Sequence, residues 1–366
     1  MSLECGIVGL PNVGKSTLFN TLTSLQVAAE NFPFCTVDPN KGIVDVPDLR
    51  MNKICEIAKP KGIVPANVSF LDIAGLVKGA SQGEGLGNQF LSHIRSVDAV
   101  AHVVRCFEDS NVVHLMGSVD PERDVEIIDL ELCLSDSERA QKRMEKIEKL
   151  AKSGNKKEKD EFDRIKMLRD RLGQGLPIRR FVNELEGLDL SDFLTVKPLM
   201  YVANLAETEL KSPSPKVKDW LARLAEIAAK DNAPVVPLSI ALEYQISQLE
   251  GQEDRAMFLQ EYGLSEPGLN RFIQDAYSLL GLITFFTAGE KEVRAWTVSR
   301  GQTAVDAAGK IHSDFAKGFI RAEVIHYEDF IRLGGEKAAR DKGLQRSEGK
   351  EYIVEDGDII LFRFNV

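Results

Sequence analysis

The sequence predicts a doubly wound α/β domain that is interrupted by a helical hairpin and followed by a small α+β domain. Three observations lead to this fold class. Short apolar runs alternate with helical stretches through the first part of the chain. A glycine-rich phosphate-binding motif follows the first of these runs, and short strands with turn sequences return after residue 281. Strands that alternate with helices are typical of parallel sheets covered by helices on both faces.

The strands of the first domain are predicted from runs with little alternation between apolar and polar residues. Strands covered on both faces have this texture, because neither side of the sheet meets water. The runs are Glu4–Val8, Asn67–Leu71, Ala99–Arg105, Leu199–Ala203 and Ala233–Leu238.

The phosphate-binding motif occupies Gly9–Ser16 and matches the P-loop pattern G-x-x-x-x-G-K-[ST] in full. Backbone N–H groups of such a loop surround the β-phosphate, while the lysine reaches the β and γ oxygens and the serine hydroxyl ligates Mg²⁺. This chemistry predicts a purine nucleoside triphosphate that is bound with Mg²⁺ and hydrolysed. The phosphate-binding residues that we predict are Asn12, Val13, Gly14, Lys15, Ser16 and Thr17.

Two further sequences predict a switch that responds to the γ-phosphate. Asp72-Ile73-Ala74-Gly75 directly follows a predicted strand, where the carboxylate can hold Mg²⁺ through water and the glycine N–H can contact the γ-phosphate. Thr36 lies in the loop after the P-loop helix and is the candidate to complete the Mg²⁺ shell. We therefore predict Ser16 and Thr36 as direct metal ligands.

The catalytic group cannot be the usual water-orienting glutamine, because Leu76 occupies that position. His102 and His114 lie on or after the next predicted strand, and His114 is the better placed because it falls in a loop. A lone histidine is usually structural, but we predict His114 and Lys15 as catalytic. An asparagine in a P-loop can also help to hold K⁺ against the phosphates, so Asn12 suggests K⁺ as a second cofactor.

The stretch from 137 to 171 predicts two antiparallel helices. Apolar residues recur at helical spacing on either side of a break at Ser153–Asn155, and they include Ala140, Met144, Ile165 and Leu168. The stretch holds 13 Lys/Arg against 8 Asp/Glu, a net charge of +5 in a chain of net charge −10. Such a basic hairpin is either a solvated face or a surface that binds a partner.

The identity of the base is predicted from Asn204-Leu205-Ala206-Glu207, at the end of the fourth strand. A guanine-specific site normally carries N-K-x-D here, with the aspartate accepting hydrogen bonds from the base. Leu205 replaces the lysine, and the longer Glu207 would push its carboxylate into the base plane, where adenine offers an acceptor rather than a donor. We therefore predict ATP over GTP, with Asn204, Leu205, Glu207 and Ser239 around the base.

The last part of the chain predicts a small α+β domain. Its strands are predicted at Thr284–Ala288, Glu292–Val298, Gly318–Val324 and Ile359–Phe364. The predicted boundaries are therefore 1–281 for the nucleotide-binding domain, interrupted at 126–185 by the helical insertion, and 282–366 for the small domain.

The composition limits the partners and the cellular location that we expect for the protein. A net charge of −10 argues against whole-surface binding of nucleic acid. The five cysteines are widely spaced and form no C-x-x-C pair, so we expect reduced thiols and a cytoplasmic protein. The strand-like start leaves no room for a signal peptide, and no apolar run approaches the ~20 residues that a membrane span needs.

These motifs together resemble the Obg-like ATPase (YchF) family of P-loop NTPases over essentially the whole chain. The matching segments are Gly9–Thr17, Asn31–Thr36, Asp72–Ser81, Gly83–Phe90, His102–Phe107, Asn204–Glu207, Phe286–Gly289, Lys291–Thr297 and Gly309–Phe315. The resemblance implies a Ras-like nucleotide-binding domain, a coiled-coil-like insertion and a C-terminal TGS domain of β-grasp type.

The resemblance also carries functional implications. It implies ATP preference, Mg²⁺ at Ser16 and Thr36, adenine contact near Leu205, and a catalytic histidine at His114. It implies association with the ribosome, for which the 137–171 hairpin and the TGS domain are the candidate surfaces. Two alternatives remain open: a GTPase of the Obg type, and a nucleotide-gated binding module whose turnover is incidental.

Overall fold

The computed structural model describes residues 3–25, 40–73, 86–152 and 156–365. The chain divides into two compact units. The first comprises Met1–Gly42 and Ser69–Ala276, and the second comprises Ile43–Val68 and Tyr277–Val366. The second unit therefore includes a segment that the sequence analysis assigned to the N-terminal domain. Within the described ranges, no helix is long and apolar enough to cross a membrane.

The strands and helices are numbered in chain order. The strands are β1 Glu4–Val8, β2 Lys41–Asp45, β3 Gly62–Val64, β4 Asn67–Asp72, β5 Ala99–Arg105, β6 Leu199–Asn204, β7 Val235–Leu238, β8 Leu282–Ala288, β9 Glu292–Ser299, β10 Phe319–Ile325, β11 Arg346–Glu348 and β12 Ile359–Phe364. The helices are α1 Lys15–Ser24, α2 Leu49–Ala58, α3 Leu86–Ser96, α4 Pro121–Lys152, α5 Lys156–Leu172, α6 Glu207–Lys211, α7 Pro215–Asp231, α8 Ile240–Ser247, α9 Gln252–Glu261, α10 Gly268–Leu279, α11 Ala304–Ile311, α12 Ser313–Lys317, α13 Tyr327–Leu333 and α14 Glu336–Asp341.

A six-stranded sheet in the order β2-β4-β1-β5-β6-β7 carries the nucleotide motifs. The pairs β1–β4, β1–β5, β5–β6 and β6–β7 are parallel, so the carboxyl ends of these strands lie along one edge. Every residue of β5 and of β6 is buried, as their continuous apolar runs predict. The predicted doubly wound α/β fold is confirmed, and ligands of such sheets bind at the carboxyl ends of the strands.

The predicted hairpin is formed by α4 and α5, which pack along each other. Their shared core includes the predicted apolar positions and extends into the segment after α5; its buried members are Cys133, Ala140, Met144, Ile165, Leu168, Leu172, Ile178, Phe181, Leu185 and Phe193. Helix α4 begins at Pro121, well before the basic stretch. Proline is favoured in a first helical turn, where its missing N–H leaves no bond unmade, and Glu122 there complements the helix dipole.

The second unit is built on a sheet in the order β11-β10-β12-β8-β9-β3. Helix α11 packs on this sheet through Ala304, Ala307 and Ala308, and its N-terminus carries a capping box formed by Thr303 and Asp306. A mixed sheet with a helix packed on it agrees with the β-grasp fold that the resemblance implies.

The segment 43–68 completes this second sheet. Strand β3 pairs in parallel with β9, placing Gly62 opposite Glu292. The guanidinium of Arg50 donates to both Asp48 and Asp356, and it also lies 5.5 Å from the centre of the Phe286 ring. The sequence analysis did not predict β3, because three residues with one glycine give no periodic signal.

Candidate functional site

The P-loop connects β1 to α1, and two of its glycines are required by geometry. Gly9 has a φ of +156°, and a Cβ at this position would lie 2.5 Å from the carbonyl oxygen of Val103. Gly14 has a φ of +104°, and a Cβ there would lie 2.7 Å from the side-chain nitrogen of Asn204. Only glycine adopts these angles without strain, so the loop's path depends on both residues.

Lys15 is the first residue of α1 and is buried. Its ammonium donates a hydrogen bond to the carbonyl oxygen of Leu10 over 2.7 Å. Burial lowers the pKa of Lys15 from 10.5 to about 8, although the negative charge of Asp72 acts in the opposite direction. The cation therefore lies inside the phosphate-binding loop, where an anion would restore its full charge.

Asp72 lies at the end of β4, opposite Ile7 of β1. Burial raises the pKa of Asp72, and the charge of Lys15 and a hydrogen bond with Ser16 oppose this shift. Ser16 is exposed at the start of α1, and its hydroxyl is hydrogen-bonded to the Asp72 carboxylate. Such a set of hard oxygen donors fits Mg²⁺, which prefers carboxylates, hydroxyls and water. The other predicted switch residues, Thr36, Gly75 and Leu76, lie outside the described residues.

Asn204 links the P-loop to the loop that follows β7. Its amide nitrogen donates to the carbonyl oxygen of Val13 at 2.9 Å, and its amide oxygen accepts from the backbone N–H of Ile240 at 3.1 Å. The side chain is buried, so both ends of the amide are used within the protein. Asn204 therefore holds the two loops together at the end of the sheet where the sequence predicts the base.

The other residues of the predicted base site have defined roles in the fold. Leu205 is 3% exposed, and its N–H donates to the carbonyl oxygen of Leu238 at 2.9 Å. Glu207 begins α6, and its carboxylate accepts from the amide of Gln245 at 2.6 Å. Ser239 is buried and its hydroxyl caps α8. Its hydroxyl is therefore directed to the helix.

The two histidines that the sequence brought into consideration are both buried. His102 lies on β5 against the ring of Tyr201, and burial lowers its pKa to about 3, so it is a neutral core residue. His114 is only 8% exposed, although the sequence analysis placed it in a loop and favoured it for that reason. Its Nε2 lies 2.8 Å from a carboxylate oxygen of Asp124.

The loop that carries His114 contacts the P-loop. Asn12, with a left-handed φ of 62°, donates from its side-chain nitrogen to the carbonyl oxygen of Val113 at 3.1 Å. This bond brings the residue next to His114 against the phosphate-binding loop. The amide of Asn12, which the sequence analysis associated with K⁺, is in this structure a tie between the two loops.

Sequence reasoning missed two residues of this region, Arg105 and Asp124. The guanidinium of Arg105 is buried at the end of β5 and donates to three backbone carbonyl oxygens, those of Phe107, Asp109 and Val112. A charged residue at the end of an otherwise apolar strand was the available signal for Arg105. Asp124 gave no signal, because it is one of several acidic residues around the start of α4.

Comparison with known proteins gives two family matches. A profile for the C-terminal domain of YchF GTPases, described as a protein of unknown function, matches residues 282–365. A profile described as a 50S ribosome-binding GTPase matches residues 4–159.

Individual relatives match along the full chain. The ribosome-binding ATPases YchF of Bacillus subtilis and Haemophilus influenzae are 52% and 50% identical to it, and each alignment covers 100% of both proteins. The solved structure of the Schizosaccharomyces pombe YchF GTPase is 38% identical, with a TM-score of 0.86 over 99% of this chain and 98% of that one. All three names describe a protein that hydrolyses a nucleoside triphosphate. They differ on the base, because the two bacterial relatives are named ATPases and the Schizosaccharomyces pombe protein is named a GTPase.

Proposed function

The chain belongs to the YchF family, and on that premise we propose that it is a Mg²⁺-dependent ATPase that acts as a nucleotide-controlled switch at the ribosome. It hydrolyses ATP to ADP and phosphate. The choice of base rests on the environment of Glu207, whose carboxylate accepts a hydrogen bond from the Gln245 amide. This exposed bond occupies one of the two carboxylate oxygens, and Leu205 beside it is buried and apolar, so we propose that the Glu207 side chain faces Gln245 rather than a bound base.

Adenine is the base that this arrangement favours. Guanine carries donors at N1 and N2 that need an acceptor, whereas adenine presents an acceptor at N1. A site without a free carboxylate leaves the guanine donors unpaired, which costs ~1–3 kcal/mol for each buried group. Asn204 contributes by holding the P-loop and the loop after β7 in place, at the base-binding end of the sheet.

Calorimetric titration tests the base. The wild-type protein should bind ATP more tightly than GTP, and tighter GTP binding would favour the alternative of an Obg-type GTPase. The double variant Leu205→Lys/Glu207→Asp restores the N-K-x-D pattern and should shift the preference toward GTP. Leu205→Lys alone is the matched control, because it changes the stem over the base without supplying the aspartate.

We propose the following contacts at the phosphate end of the site. The loop N–H groups and Lys15 hold the β- and γ-phosphates, Thr17 contacts the α-phosphate region, and Ser16 and Thr36 ligate Mg²⁺. The ion neutralises charge on the phosphate oxygens. Asp72 supports Ser16, to which it is hydrogen-bonded.

We propose His114 as the group that positions the attacking water, since leucine at position 76 cannot do so. His114→Ala should reduce hydrolysis while leaving the affinity for ATP unchanged. K⁺ remains a separate proposal for Asn12. Equal turnover in K⁺ and Na⁺ would contradict it.

Ribosome binding is proposed from the names of the bacterial relatives and from the basic hairpin. Lys142, Lys146 and Lys149 are exposed on α4. Arg143 is excluded from the test set, because it pairs with Glu161 and supports the hairpin. The triple charge reversal to Glu should weaken co-sedimentation with ribosomes most at low salt, and the difference from the wild-type protein should shrink as the salt concentration rises.

The matched control reverses three exposed lysines outside the hairpin, Lys211, Lys218 and Lys230. Equal loss in both triple variants would point to net charge rather than to the hairpin, and unchanged binding of the hairpin variant would exclude its basic face. The domain boundaries 1–281, with the 126–185 insertion, and 282–366 are part of the same proposal, with residues 43–68 joining the sheet of the second domain. The role of the TGS domain and a cytoplasmic location belong to it as well.

The alternative of a nucleotide-gated binding module is tested in cells. Lys15→Ala removes the phosphate-binding cation, whereas His114→Ala is expected to leave nucleotide binding intact. A phenotype for Lys15→Ala but not for His114→Ala would mean that binding alone is the function.

A further inference from the structure

His114 lies in the loop between β5 and α4, where the usual pattern of burial is reversed. The ring is buried, while the neighbouring side chains Val113 and Leu115 are 75% and 48% exposed. An apolar side chain normally turns inward and an imidazole outward, so this loop has the reverse of the usual arrangement. The arrangement indicates that specific bonds, rather than apolar burial, determine where the histidine lies.

Both nitrogens of His114 are hydrogen-bonded. The backbone N–H of Met116 donates to Nδ1 at 3.1 Å. An N–H group can only donate, so Nδ1 carries a lone pair and the proton of the neutral ring is on Nε2. Nε2 therefore donates to the carboxylate of Asp124 at 2.8 Å. In this arrangement the ring has no free nitrogen with which to contact a water molecule or a phosphate.

Asp124 is fixed in the first part of α4. Its side chain is buried, and its second carboxylate oxygen accepts from Arg123 at 3.2 Å. Burial raises the pKa of Asp124, while its hydrogen bonds and the charges of its partners act against this. Hydrogen bonds to a carboxylate are roughly twice as strong as those between neutral groups, so the bond to His114 is the strongest one that the ring makes.

The loop's attachment to the P-loop is weaker. Within the described ranges, the hydrogen bond that joins it there is an exposed one between neutral groups, from the Asn12 amide to the carbonyl oxygen of Val113, and such a bond contributes ~0.5–1.5 kcal/mol. The base of the loop is held more firmly, because Arg105 binds three of its carbonyl oxygens. The firm base and weak outer tie would let the part around His114 move while the strand end stays in place.

We propose that Asp124 is a positioning residue that holds His114 away from the nucleotide, so that breaking this bond is a required step before His114 can act in hydrolysis. This inference rests on the proposed role of His114. The bond thereby sets the basal rate of ATP hydrolysis, and whatever opens the loop raises that rate.

Asp124→Asn is the test, because the amide has the same shape and still offers an oxygen to Nε2–H, but without the charge. Turnover is measured at saturating ATP with Mg²⁺, in the full-length protein. The expected result is a rise in basal kcat of about three- to tenfold, with an unchanged KM for ATP. The rise should disappear in Asp124→Asn/His114→Ala, since it acts through the histidine.

Three outcomes would overturn the inference: a fall in kcat, an unchanged kcat, or an equal rise in the His114→Ala background. The single variant His114→Ala separates the two proposals. If it lowers hydrolysis while Asp124→Asn brings no rise, only the role of Asp124 fails. If it leaves hydrolysis unchanged, the catalytic role of His114 and the inference fail together.

A second measurement reads the His114 ring in the wild-type protein directly. Nitrogen NMR of the histidine rings in the wild-type protein should show His114 with its proton on Nε2 and with Nδ1 as an acceptor. His114→Ala provides the assignment, because its spectrum lacks that signal. A ring with its proton on Nδ1, or one averaging freely between the two forms, would contradict the bond to Asp124.

Discussion

The lowered pKa of Lys15 has a measurable consequence for nucleotide binding. In the free protein this pKa is about 8, because the ammonium is buried. A triphosphate against the ammonium should return the pKa at least to its ordinary value of 10.5. Between these two values, binding must therefore take up a proton, and the affinity for nucleotide must fall as the pH rises.

The magnitude follows from the two pKa values. At pH 9 about nine-tenths of Lys15 is neutral in the free protein, so binding takes up about 0.9 proton. The affinity for ATP should be about tenfold lower at pH 9 than at pH 7, a difference of ~1.4 kcal/mol. The direction of this pH dependence is fixed, because a group whose pKa rises on binding favours the complex at low pH.

The assay is calorimetric titration with ATP in buffers of different ionisation enthalpy, because proton uptake then appears as a dependence of the measured heat on the buffer. The triphosphate is fully ionised above pH 8 and adds no signal there. Lys15→Arg is the control, because a guanidinium stays charged across this range and should show no uptake. Uptake near zero at pH 9 in the wild-type protein, or equal uptake in the arginine variant, would refute the reasoning.

Three further predictions concern stability. Gly9→Ala combines a φ of +156° with a Cβ 2.5 Å from the Val103 carbonyl oxygen, so it should lower the free energy of unfolding by ~1–3 kcal/mol and abolish nucleotide binding. An unchanged melting curve together with an unchanged ATP titration would contradict this. Asp136→Ala removes a buried carboxylate that accepts bonds from two backbone N–H groups and the Thr195 hydroxyl. Each buried donor left unpaired costs ~1–3 kcal/mol, so urea unfolding should show a loss of at least ~3 kcal/mol, whereas a loss below ~1 kcal/mol would mean that water replaces the carboxylate. Gly318→Ala would place a Cβ 2.0 Å from the backbone oxygen of Asn365, directly after β12, so calorimetry should show a loss of ~1–3 kcal/mol. A transition at the wild-type temperature would count against that contact.

Much of the fold could be predicted from the sequence, because the long apolar strands carry their own signal. The predicted bounds of β1, β5 and β12 are those of the structure. Strands β2, β3 and β11 were missed. Charged residues at both ends of β2 leave only Ile43 and Val44 as apolar residues, β3 and β11 are three residues long, and the stability of β3 comes from pairing with β9, which is distant in sequence. The membership of 43–68 in the second unit was missed for the same reason.

The candidate site likewise has a part that could be predicted from the sequence and a part that could not. The P-loop could be predicted because its chemistry is local: glycines, lysine and serine at fixed spacing on one turn. The position of His114 could not, since a histidine between Val113 and Leu115 in a loop gives no sign of whether it is buried. That depends on Asp124, which lies on the following helix and bonds the ring only once the loop has folded back.

The contribution of residues 43–68 to the second unit also sets an order of events during synthesis. Helix α2 and strand β3 are made early, but their partners begin only at Tyr277, after the whole of Ser69–Ala276 has been added. Domains generally fold as units as they emerge, so the first unit can form while α2 and β3 still lack their sheet. The second unit closes only when the final strand is complete. A fragment beginning at residue 282 would lack an edge strand and the arginine that binds Asp356, so the C-terminal unit is not a module that one cut can release.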